Sequence, residues 1–81
     1  MDVKDELQTE TKTWMDRFDD RVDDITPQTD AGETMLNNAR AYRADTEHFI
    51  DDGDWVRAFE AIIWAWSWLE IGEELGTIKE R

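Results

Sequence analysis

The amino-acid sequence predicts an all-α protein, an antiparallel three-helix bundle with helices at about residues 2–25, 30–51 and 55–75. Two observations carry that prediction. Apolar residues recur every three or four positions through three separate segments, the period of a helix with one buried face. Pro27 and Gly53 then punctuate the chain where each periodic segment runs out. No strand and no cofactor loop is expected, and 81 residues suit one domain spanning 1–81.

In the first segment Val3, Leu7, Thr11, Trp14, Phe18, Val22 and Ile25 form a stripe about 100° wide. Pro27 blocks its continuation, having no N–H to donate and a ring that clashes with the preceding turn. Asp30 followed by Glu33 reads as a capping pair that opens the second helix. Its stripe is Ala31, Met35, Ala39, Tyr42, Thr46, Phe49 and Ile50, and it ends at Asp51-Asp52, where Gly53 supplies a left-handed turn. Asp54 then caps the third helix.

That third helix differs from the other two. Ala58, Ala61, Ala65 and Gly72 make a strip of small residues. Phe59, Ile62, Trp66 and Leu69 flank it on one hand, and Trp64, Trp68, Ile71 and Leu75 on the other. Two bulky ridges beside a small-residue strip can grip a neighbour on each side, so this helix is expected at the centre. Gly76 ends it, and residues 77–81 are expected to fray. The large apolar residues of this helix exceed what two thin stripes can cover. That surplus makes the ridge Trp64, Trp68, Ile71 and Leu75 the candidate interaction surface, for a homodimer or another protein.

Composition narrows the function classes. Twelve Asp and nine Glu face six Arg and three Lys, a net charge of −12 with the one His neutral. Forty per cent hydrophobic residues and five Trp argue for a folded core inside a carboxylate coat, not for disorder. Such a coat repels phosphates and anionic lipid, which disfavours nucleic-acid partners and membrane surfaces. The acid excess and scarcity of Lys match cytosolic proteins of salt-loving organisms, in which salt cations screen the surface; at molar salt the screening length falls to about 3 Å. Asp16, Asp20 and Asp24 lie four apart, as do Asp19 and Asp23, and each such pair costs an isolated helix about 0.2–0.5 kcal/mol without screening. The chain has no Cys, so disulfides, Cys–zinc sites and Cys nucleophiles are excluded. No apolar run approaches a membrane span, and the start Met1-Asp2-Val3-Lys4-Asp5 lacks a signal-peptide pattern, so the expected location is cytoplasmic.

Chemistry-bearing motifs are sparse. His48 follows Arg43 by five residues, an Arg-x-x-x-x-His string that resembles the motif of helical ribonucleases in the HEPN group. Five residues on a regular helix is about 140° of rotation, so Arg43 and His48 face different ways, and Arg43 is better placed to pair with Glu47. Asp45-x-x-His48 echoes half a di-iron motif that needs a second His, and the chain has one. Asp51-Asp52-Gly53-Asp54 fails as a calcium loop, because His48 and Ile50 would fall at ligand positions. Ser67 is the one serine and has no base near it in sequence. No metal and no cofactor is therefore expected.

From Ala39 to Gly76 the chain resembles an archaeal family, domain of unknown function 357. Its members look like Ala-x-x-Tyr-x-x-Asp-Ala-x-x-Phe, a Gly-Asp turn, then Tyr-Ala-x-Gly-Trp-Leu-Asp. The corresponding stretches are Ala39 to Asp45, His48-Phe49, Gly53 to Ala61, and Trp64 to Glu70. Departures are Thr46 for the small residue after Asp45, Ser67 for Gly, Glu70 for Asp and Ile71 beyond it. The resemblance implies a compact helical bundle of archaeal cytosol and brings no catalytic residues. Of the matching residues Tyr42, Asp45, Gly53, Asp54, Trp68 and Leu69, only Asp45 lies off the stripe of its helix and lacks a structural reading.

Together these readings predict a non-enzymatic protein-interaction module that self-associates through the third helix. The alternative is a HEPN-like RNA-processing or ribonuclease domain using Arg43 and His48.

Overall fold

A computed structural model describes residues 2–81. Its elements are α1 (Val3–Val22), β1 (Ile25–Pro27), α2 (Asp30–Asp51), α3 (Trp55–Glu74) and β2 (Ile78–Glu80). Consecutive helices run antiparallel, so α1 and α3 point the same way. Lys12 lies over the Trp55 ring, Trp14 meets Trp66, and Arg21 pairs with Glu73. α3 packs against both other helices, while α1 and α2 barely touch through their backbones.

The small-residue strip explains that central position. Ala58, Ala61, Ala65 and Gly72 are all buried, together with Ile62 and Leu69, and let neighbouring backbones come close. One ridge grips α1: Trp66 meets Trp14 and Phe18 edge-to-face, and its indole N–H donates to the Trp14 carbonyl at 3.1 Å. The other ridge meets α2, where the Trp64 ring stacks on Tyr42. Thr11 and Thr46 sit in the two thin stripes fully buried. Each hydroxyl donates to the carbonyl four residues back, Leu7 at 2.7 Å and Tyr42 at 2.8 Å, which removes the cost of burying a polar group.

Three expectations are overturned together, two about the chain ends and one that the fold holds no strand. The first helix stops at Val22, not at residue 25, and residues 77–81 do not fray. Ile25–Pro27 and Ile78–Glu80 instead form a two-stranded antiparallel ribbon pairing Ile25 with Glu80, Thr26 with Lys79 and Pro27 with Ile78. Outside the ladder, the Gln28 N–H donates to the Thr77 carbonyl at 2.8 Å and the Arg81 N–H to the Asp24 carbonyl at 2.7 Å. Proline disfavours a helical Thr26, which favours an extended approach to Pro27. The C-terminal strand is fixed by burial, since Ile78 is 2% exposed beneath α2 and α3. Two glycines admit it. A Cβ on Gly32 would lie 1.8 Å from the Thr77 carbonyl oxygen, and one on Gly72 would lie 2.8 Å from the Ile78 side chain.

The caps also need one correction. Thr29, not Asp30, is the N-cap of α2, and its hydroxyl accepts from the Gly32 N–H at 3.0 Å. Asp30 is the first helical residue, where its charge still favours the positive end of the helix dipole. Asp54 caps α3, accepting from the Arg57 N–H at 3.1 Å. Gly53 and Gly76 adopt the left-handed backbone, with φ of 75° and 74°.

Candidate functional site

The surface of α3 that neither neighbour covers is the first candidate. Trp64, Ile71 and Leu75 remain 55%, 46% and 64% exposed. Their spacing with Trp68, four, three and four residues, holds them on one side of a helix. Trp68 is half-buried against the core, and its indole N–H is buried with no hydrogen-bond acceptor among the described residues. Trp66, by contrast, is turned toward α1 and is spent on packing.

Beside this ridge lies a groove of about 220 Å³ between α2 and α3. Tyr42, Asp45 and Phe49 form its α2 wall, Arg57, Glu60 and Trp64 its α3 wall, and the buried Ala61 its floor. The Tyr42 and Trp64 rings are stacked within it, 6.2 Å between centroids and 23° apart in plane. Sequence reasoning found Trp64 but did not assemble the groove. The signal was Asp45, a polar residue outside the stripe of its helix, which stands exposed on the groove wall.

The structure does not bring Arg43 and His48 together. The Arg43 guanidinium is held bidentately by Asp19 of α1, both contacts at 2.8 Å, and by Glu47 at 3.1 Å. Hydrogen bonding to Asp19, partly opposed by burial, raises its pKa above the usual guanidinium value. Together with a longer contact of 3.8 Å between Arg40 and Asp23, this pair ties α1 to α2. His48 is exposed, and its side chain makes no hydrogen bond to any described residue. Ser67 donates to the Ile63 carbonyl at 3.0 Å, the ordinary resting bond of a helical serine.

The carboxylates divide between two environments. Asp19 and Asp23 meet arginines of α2, whereas Asp16, Asp20 and Asp24 are exposed without a cationic partner among the described residues. Among the described residues no group of three or more His, Cys, Asp or Glu could hold a metal ion. No helix among them is long and apolar enough to cross a membrane.

Comparison with known proteins agrees with the fold. The crystal structure of protein AF1782 from Archaeoglobus fulgidus, a protein matched by the same family model, superposes with a TM-score of 0.90 at 41% identity. The match covers 99% of this chain and 100% of that one. No curated protein matches the chain. The model of the family described as "Protein of unknown function (DUF357)" matches residues 11–78, taking in most of α1 as well as the α2–α3 hairpin that carries the resemblance. The chain therefore belongs to the DUF357 family.

Proposed function

We propose that this chain is a non-enzymatic protein-interaction module of an archaeal, salt-adapted cytosol, and that it self-associates through the exposed ridge of α3. The observation that carries the reading is the line of Trp64, Ile71 and Leu75, each about half exposed on one side of the central helix. Fully burying a large apolar side chain is worth about 1.5–3 kcal/mol, so covering these half-exposed residues yields roughly 1 kcal/mol apiece. In a two-fold contact both copies are covered, for a total of about 6 kcal/mol. Association itself costs at least about 4 kcal/mol, so the self-contact is weak and concentration-dependent. A heterologous partner with a larger apolar face would bind the same ridge more tightly.

Light scattering or sedimentation in molar potassium chloride tests this. The apparent mass is expected to rise with protein concentration and to fall to that of a monomer in Ile71→Glu, an exposed position where the change leaves the fold intact. A net of about 2 kcal/mol corresponds to a dissociation constant on the order of 30 mM, so an apparent mass that does not rise up to about 10 mM protein would remove self-association from the reading.

A further inference from the structure

The cations of this chain are few, and three of them are spent on tryptophans. Lys12 lies 5.5 Å from the Trp55 ring centroid, Arg17 lies 4.9 Å from Trp14, and Arg21 lies 5.4 Å from Trp66. Trp64 is the most exposed large aromatic of α3, yet among the described residues no cation lies over it. Its surroundings suit one. The groove sets the Tyr42, Phe49 and Trp64 rings beside the carboxylates of Asp45 and Glu60, and neither carboxylate pairs with a cation among the described residues. The one cation on the rim, Arg57, is bound at 3.2 Å to Asp54, the residue that caps α3. Aromatic faces attract a cation through their quadrupole, and flanking carboxylates add charge complementarity.

The geometry points to the α2–α3 groove as a receptor for one basic side chain, an arginine or lysine, presented by a protein partner that docks on the neighbouring α3 ridge. The inference rests on the reading of α3 as a protein-contact face, and it names the chemistry that such a partner must carry. The rings take the flat face of a guanidinium or the ammonium head, while Asp45 and Glu60 accept its N–H donors from opposite walls. The apolar ridge of Ile71 and Leu75 then receives the partner's flanking apolar residues.

The probe that tests the groove is N-acetyl-arginine methylamide, added to ¹⁵N-labelled protein in place of potassium chloride so that ionic strength stays constant. N-acetyl-citrulline methylamide, of the same shape without the charge, is the control. Saturable shifts are expected at the Trp64 indole N–H and at the Tyr42, Asp45 and Glu60 amides, with the citrulline compound about two- to five-fold weaker. Asp45→Asn/Glu60→Gln is expected to weaken the arginine probe by a similar factor of about two to five, and Asp16→Asn/Asp20→Asn on α1 to leave it unchanged. Both pairs are exposed, so neither change threatens folding. Equal binding of the two compounds, shifts scattered over the acidic surface, or equal effects of the two double variants would each overturn the proposal. The outcome is independent of self-association, which light scattering reads separately.

Discussion

Replacing Gly32 with Ala probes the closest approach in the fold. A helix normally welcomes the exchange, because alanine is favoured over glycine by about 0.5–1 kcal/mol in a helix interior. Here the new Cβ would lie 1.8 Å from the Thr77 carbonyl oxygen, and real Cβ atoms do not come within 3.0 Å of such an atom. The two must separate by more than an ångström. The strand cannot drift freely, because the Thr77 carbonyl accepts from the Gln28 N–H and the Thr77 N–H donates to the Gly72 carbonyl at 2.9 Å. Overpacking of this kind costs about 1–3 kcal/mol. Losing the Gln28 bond adds about 0.5–1.5 kcal/mol. The helix gain offsets only part of this, leaving a net loss of about 0.5–4 kcal/mol. Urea denaturation in molar potassium chloride should show the midpoint falling with little change in slope, and amide exchange should quicken first at Gln28 and Arg81, which bridge the ribbon to its neighbours. A variant as stable as the parent, or more so, would refute the docked position of β2.

Other outcomes follow from the same structure. Ile78→Ala removes a side chain that is 2% exposed and should cost about 2–5 kcal/mol, whereas a fraying end would give no measurable change. Thermal stability is expected to rise from low to molar potassium chloride, because the chain carries a net charge of −12 and Asp16 and Asp20, four apart on α1, have no cationic partner among the described residues. Each 1 kcal/mol of like-charge repulsion relieved over the acidic surface corresponds to roughly 4–8 °C in a domain of this size, and a flat midpoint would count against salt adaptation. Single-stranded RNA incubated with the protein is expected to stay intact, and His48→Ala should leave stability unchanged, since the imidazole is exposed and unbonded. Cleavage by the parent that disappears in His48→Ala would restore the ribonuclease alternative.

The ridge of Trp64, Trp68, Ile71 and Leu75 was legible in the sequence because its spacing repeats the helical turn. The groove was not, because Tyr42 and Asp45 meet Glu60 and Trp64 only after α2 folds back on α3. Asp45 signalled it as a polar residue off the stripe, but spacing along one helix cannot name the residues opposite. Arg43 shows the same division: its pairing with Glu47 is an i,i+4 relation readable in the chain, while Asp19 comes from another helix.

By itself the sequence determined the three helices, the turn at Gly53, the end at Gly76 and the central place of α3. These are local matters of periodicity, of a backbone that only glycine tolerates, and of small residues gathered on one face. Tertiary structure alone decided the ribbon. Three-residue strands carry too few side chains to show a period, and their partners lie more than fifty residues apart in the chain. What holds β2 is a buried Ile78 fitted between two glycines on different helices, and neither glycine announces from its own neighbours which strand will cross it.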